Sequence, residues 1–266
     1  KVRGAFVNGS TGDFVSLTTK ERKDIITEWA KNKPNDFFLV NHVGHNSLKE
    51  AKALATHSAE KVDAIAALAP YYFRLSSLKS LLEYCKEIAS CAPNTPFYYY
   101  HIPVLTGANF LMHEFLGLAS REIPNFAGIK FTNNNLIDYK YCKDFDNGAY
   151  NILFGFDEIL LASLPLGAEG WVGSTYNHLA PLYLSIIEAF QNNDHKLAAA
   201  LQEKSMKFVD TLNAKGGFNG AAKSFMKVLG VDCGPSRFPH ATLSPKELEE
   251  ARSALNALGI MDHTSR

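Results

Sequence analysis

The chain has no surplus charge of either sign. Its 27 lysines and arginines stand against 27 aspartates and glutamates, so no net field draws it to nucleic acid or to an anionic membrane. No run is long and apolar enough to span a bilayer and no signal-peptide pattern opens the sequence, so a soluble cytoplasmic protein is expected. The four cysteines, Cys85, Cys91, Cys142 and Cys233, show no CxxC spacing and no partnered histidine. Free thiols in a reducing compartment are expected rather than a disulfide framework. His42 and His45 stand at HxxH spacing without a third ligand nearby, which reads as two loop histidines rather than a metal site. No P-loop, no GxGxxG after a strand and no zinc spacing occurs. An enzyme with no cofactor, using its own side chains, fits those absences.

At 46% hydrophobic and 20% charged residues, the composition is that of a soluble globular protein of one large domain or two small ones. The sequence opens on a strand-like run, Gly4-Ala5-Phe6-Val7, followed by the turn Asn8-Gly9-Ser10-Thr11-Gly12. Thr18-Thr19-Lys20-Glu21 is a capping box, and Ile25, Ile26 and Trp29 give the helix behind it one apolar face. Further strands are expected at 37–40, 64–69, 97–102, 126–131, 152–156 and 170–172, with helices between them. After that only helices follow, at 182–190, 197–212, 221–228 and 245–258. The last begins Ser244-Pro245-Lys246-Glu247, an N-cap, an N1 proline and an N3 glutamate together.

Apolar strands alternating with amphipathic helices argue for an α/β protein with a parallel sheet. Seven such units fall one short of a TIM (β/α)8 barrel, and the first βα unit is expected to be missing from the N-terminus. The expected division is barrel units two to eight over 1–190 and a C-terminal helical extension over 191–266.

Lys130 stands alone in the apolar run Phe126-Ala127-Gly128-Ile129-Lys130-Phe131. An ammonium without a neighbouring charge is expensive to desolvate, and a neutral amine in a dry pocket is what a Schiff-base enzyme uses against a carbonyl. The alternative is a lysine at the strand's end that snorkels to water. Barrel chemistry sits at the C-terminal ends of strands. Those ends carry Ser10 and Thr11, Tyr72, Tyr100, Lys130 and Thr132, Asp157 and Glu158, and Ser174.

Each of these positions has a plainer reading. The Gly9–Gly12 turn either caps a helix or offers hydroxyls and N–H groups to a carboxylate. Tyr98, Tyr99 and Tyr100 alternate faces, so at least one is core, and Tyr100 lies nearest the strand end. Asp157 and Glu158 either cap the next helix or accept hydrogen bonds from a polyol. His101 should face away from Tyr100.

GSTG after the first strand, YHIP, the lone lysine of GIKFT, FGFDE and GSTYN occur in that order. Together they resemble the N-acetylneuraminate lyase branch of the pyruvate-dependent class I aldolases, a family that includes dihydrodipicolinate synthase. The resemblance runs from about Val2 to about Gly230. Asp13 stands where the family has a glutamate, and Val104-Leu105-Thr106-Gly107 lacks the arginine with which dihydrodipicolinate synthases hold a second carboxylate. Together with Asp157-Glu158, that absence favours the sialic acid branch.

The resemblance implies that Lys130 forms an imine with N-acetylneuraminate and that a retro-aldol step releases pyruvate and N-acetylmannosamine. It implies Tyr100 in proton transfer and Ser10 and Thr11 on the substrate carboxylate. Thr132 is placed beside the imine, with Gly155, Asp157, Glu158 and Ser174 on the glycerol-like tail. It also implies a homotetramer in which Tyr72 reaches a neighbouring subunit's site, and no cofactor beyond the imine. Two alternatives remain at this stage. One is a related pyruvate aldolase for another 2-oxo acid, such as a 2-keto-3-deoxy sugar acid or a dihydrodipicolinate-synthase-like substrate. The other is a non-catalytic relative, which would be expected to lose Lys130 or Tyr100.

Overall fold

Short apolar runs separated by capped helices build a six-stranded sheet in the computed structural model, which describes residues 2–265. The strands are β1 (Gly4–Val7), β2 (Phe38–His42), β3 (Ala64–Leu68), β4 (Phe97–His101), β5 (Phe126–Phe131) and β6 (Asn151–Phe154), side by side in chain order. Every neighbouring pair is parallel, and parallel neighbours need long crossovers. These are α1 (Thr19–Asn32), α2 (Leu48–Ser58), α3 (Leu78–Ala89), α4 (Pro103–Thr106) with α5 (Met112–Glu122), and α6 (Leu136–Asp144). The expected capping box of Thr18 and Glu21 closes on α1, and Ser47 accepts from the Glu50 N–H at the start of α2. The apolar stripe of α3, with Leu81, Leu82, Cys85, Ile88 and Ala89, is buried as its spacing predicts.

Two strands differ from expectation. β2 continues past Val40 through Asn41 to His42, because its polar residues are buried and find partners inside. The expected strand at 170–172 reduces to a single parallel bridge between Phe154 and Trp171. Gly167 takes a φ of 86°, which ends extended backbone before that segment, and Gly170 and Gly173 leave it few side chains to pack.

One face of the sheet collects Phe6, Val40, Ala64, Ala66 and Tyr98, while Leu39 on the opposite face meets Ile26 of α1. Small alanines on β3 leave room for the large ring of Tyr98 on β4. Each fully buried Phe, Leu or Ile of the helix-covered face contributes roughly 1.5–3 kcal/mol.

β5 breaks strict alternation. Phe97 pairs with Phe126, but Tyr98 pairs with Gly128, so Ala127-Gly128 form a bulge that adds one residue to β5. Phe126 packs on Phe115 of α5 and Phe131 on Tyr139 of α6, so both face helices although five positions apart. The extra residue reverses the parity between them. Lys130 is thereby turned to the face that carries Tyr98 and Tyr100.

These strands and helices, residues 3–156 with 166–172, form one compact unit. A second compact unit, 157–165 with 173–265, is helical: α7 (Leu160–Ser163), α8 (Tyr176–Gln191), α9 (His195–Asn213), α10 (Phe218–Phe225) and α11 (Pro245–Ala257). α8 begins at Tyr176 rather than 182. Pro181 interrupts its pattern, and Leu179 kinks just before it with φ −129°. The Ser244–Glu247 capping box of α11 forms with Pro245 at its first turn.

Candidate active site

At the C-terminal ends of β1 to β5 the first unit gathers a lysine, a phenol, a hydroxyl and an imidazole. Lys130 is 7% exposed, and its Nζ lies 4.1 Å from the centroid of the Phe6 ring and 4.0 Å from that of Tyr100. Among the described residues its ammonium has no carboxylate partner. Two aromatic faces take the place of water around the head, so the buried reading of Lys130 holds and the snorkelling one does not. Tyr100, 3% exposed, sets its hydroxyl 3.3 Å from Ser10 Oγ. Ser10 reaches it from the turn after β1, where Asn8 and Asp13 both take left-handed backbone (φ 57° and 51°) and Asp13 N–H closes onto the Ser10 carbonyl at 3.0 Å. Thr11, next in that turn, is exposed.

Tyr99 faces the helices instead, packed on Phe115 at 4.8 Å, and is core. His101 also faces away from Tyr100 as expected. Its ring lies against Phe131 at 5.2 Å, and burial pushes it down to about 4 despite an opposing pull from Asp138. Thr132 N–H donates to the His101 carbonyl at 2.8 Å, and Thr132 Oγ1 is buried with no hydrogen-bond partner among the described residues. Gly155 lies against it: a Cβ there would collide with Thr132 Oγ1. Tyr72 does not join this cluster. It is 78% exposed, edge-on to Phe73 at 5.0 Å.

His42 corrects the sequence reading. It is no loop histidine but the fully buried last residue of β2, facing Tyr100, with ring centroids 5.9 Å apart. The signal was available: His42 lies two residues after Val40, on the same face of a strand that runs on into the apolar Val43. Arg22 of α1 was also missed. It is 1% exposed, donates to the His42 carbonyl at 2.6 Å and the Gly44 carbonyl at 3.0 Å, and lies over the Phe14 ring at 5.0 Å. Burial lowers it to about 10. Among the described residues no group of three His, Cys, Asp or Glu could hold a metal ion.

In the second unit Asp157 is 3% exposed, and its Oδ2 accepts from the Thr175 N–H at 2.8 Å, the Thr175 hydroxyl at 2.7 Å and Ser174 Oγ at 3.4 Å. Gln202 of α9 holds the same turn, donating to the Asp157 carbonyl at 3.2 Å and accepting from Leu161 N–H at 2.8 Å. Glu158 is half-buried. Burial raises its carboxyl above the usual range, and the charges of Asp157 and Asp210 push the same way.

A parallel α/β fold with a desolvated lysine beside a phenol, at the ends of its strands, is the architecture of a lysine-dependent carbonyl enzyme. The chain belongs to the dihydrodipicolinate synthetase family, whose model matches residues 1–258. It is 42% identical to N-acetylneuraminate lyase A of Xenopus laevis over 247 residues, 90% of this chain and 79% of that protein. The structure of Proteus mirabilis N-acetylneuraminate lyase superposes with a TM-score of 0.93 at 33% identity, covering 97% of this chain and 88% of that one. A catalytic lysine mutant of Ruminococcus gnavus sialic acid aldolase superposes with a TM-score of 0.89 at 28% identity, covering 97% and 85%.

Proposed function

We propose that this chain is a class I, Schiff-base lyase that cleaves N-acetylneuraminate to N-acetylmannosamine and pyruvate. The observation that carries the reading is the Lys130 amine held between the Phe6 and Tyr100 rings, with the Tyr100 hydroxyl beside Ser10. Lys130 Nζ attacks the C2 ketone of the open-chain sugar acid and water leaves as the imine forms. The iminium accepts the electron pair of the C3–C4 bond as it breaks, and the C4 hydroxyl proton leaves through Tyr100, aided by the substrate carboxylate. Protonation of the resulting enamine at C3 and hydrolysis release pyruvate and restore the lysine. The electron sink is the covalent imine, so the reaction calls for no cofactor.

Ser10 and Thr11 are the proposed carboxylate ligands, supported by their turn at the end of β1. Thr132 stands for the group beside the imine, and its buried hydroxyl against Gly155 supports that role. Gly155, Asp157, Glu158 and Ser174 are the proposed readers of the glycerol-like tail. The proposed division takes barrel units two to eight of a (β/α)8 architecture over 1–190, with a helical extension over 191–266. The assembly proposed is a homotetramer in which exposed Tyr72 serves a neighbouring subunit's site. Among the described residues no helix is long and apolar enough to cross a membrane, and the free cysteines support the proposed cytoplasmic location.

Borohydride reduction in the presence of pyruvate, followed by peptide mapping, is expected to leave a pyruvyl adduct on Lys130. A folded preparation without that adduct would sink the mechanism. Turnover of N-acetylneuraminate should exceed that of 2-keto-3-deoxygluconate; the reverse order would move the assignment to a related aldolase.

A further inference from the structure

Both ring nitrogens of His42 are committed. Nε2 accepts from the Leu68 N–H at 3.3 Å, so Nδ1 carries the proton and donates it to the Asn8 carbonyl at 2.9 Å. Burial first, and then the charges of Arg22 and Lys130, hold His42 well below its ordinary value, so the ring stays neutral. Asn8 is where the chain leaves β1 and enters left-handed backbone, a conformation that costs a non-glycine residue and needs support from its surroundings. Two residues on stands Ser10, facing the Tyr100 hydroxyl. The His42 ring stands edge-on to Tyr100 and also to Phe14, the latter at 4.6 Å. Asn8 is fastened from its side chain as well, with Nδ2 donating to the Arg22 carbonyl at 3.1 Å and to Asn41 Oδ1 at 2.8 Å.

We propose that His42 is a positioning residue: its Nδ1–H fixes the Asn8 carbonyl and its ring braces Tyr100, together setting how tightly the site takes a 2-oxo acid. This rests on the lyase reading. His42 touches no reacting atom; it acts through the hydroxyl-bearing turn and the phenol.

The test uses the full chain and pyruvate as probe, titrating borohydride trapping on Lys130. His42→Phe keeps an aromatic ring and removes the donor, whereas His42→Asn keeps an N–H near the Nδ1 position and removes the ring. His42→Phe is expected to raise the half-saturating pyruvate concentration about tenfold, equivalent to about 1.4 kcal/mol. His42→Asn is expected to raise it less, about threefold, because the hydrogen bond survives although the bracing ring is gone. Gly44→Ala presses on the imidazole and on its Leu68 N–H partner without replacing either, since its Cβ would lie 2.7 Å from His42 Nε2 and 2.9 Å from Leu68 N, and should shift the titration in the same direction as His42→Phe. Unchanged half-saturation in folded His42→Phe, or in Gly44→Ala if the former does not fold, overturns the proposal. A loss in His42→Asn that equals or exceeds the loss in His42→Phe overturns it too, because the Nδ1–H is then not what positions the turn. Absence of any adduct in the native chain overturns the lyase reading itself and is thereby told apart.

Discussion

Lys130 is held by aromatic faces rather than by a counter-ion, and that choice suits a nucleophile. A carboxylate partner would tie up the nitrogen in a charge-assisted bond, whereas the Phe6 and Tyr100 rings leave it free to reach a carbonyl carbon. Tyr100 plays two parts in this arrangement, one through its ring and one through its hydroxyl. Tyr100→Phe separates them, because the ring stays over the amine while the proton carrier goes. Pyruvate trapping on Lys130 should persist in that variant, while kcat for N-acetylneuraminate falls roughly a hundred- to ten-thousand-fold. A kcat close to native would remove Tyr100 from proton transfer. The oddness of Lys130 and the candidacy of Tyr100 could both be read from the chain, since each is a local exception to an apolar pattern. His42 could not be read as easily, because a histidine at a strand end looks the same whether its ring nitrogens meet water or the Leu68 and Asn8 backbone.

At the scale of elements, the bulge in β5 decides where the lysine points. Gly128 sits against β6 so closely that a Cβ would collide with the Asn151 carbonyl oxygen, and only glycine lets the extra residue fit. Gly128→Ala should cost roughly 1–3 kcal/mol through overpacking, read as a lower urea midpoint. It should also reduce trapping of pyruvate at Lys130, because relaxing the bulge turns Lys130 toward the helices. Full trapping in a folded Gly128→Ala protein would show that the bulge does not aim the lysine. The turn after β1 is a second such device, with Asn8 and Asp13 in left-handed backbone at either end of the GSTG segment. Helix starts were legible because capping boxes are local, as at Thr18 and Ser244. The strand expected at 170–172 was not, because three residues among glycines form a strand only if a neighbour supplies the ladder, and β6 supplies a single bridge.

Across the molecule, three buried histidines among the described residues are kept neutral by desolvation: His42, His101 at about 4, and His178. Above about pH 6.5 both the folded and the unfolded chain carry them uncharged, and they place no pH demand on folding. As pH falls below that value the unfolded chain takes up protons that the folded one refuses. Stability should therefore decline from about pH 6.5 toward pH 4, by up to about 1.4 kcal/mol per pH unit for each histidine. Urea midpoints at pH 7 and pH 5 measure this, and equal midpoints would contradict it. The alternation of strand and helix, the helix caps, the helical C-terminal region and the presence of one lysine out of place were all legible along the chain. Those follow from hydrophobic period and capping chemistry, which act over a few residues. That Lys130 faces Tyr100, that Tyr99 is core and that His42 is neutral and clamped emerge only in the assembled fold. Those depend on register and desolvation, which are set by strands and helices far away in the chain.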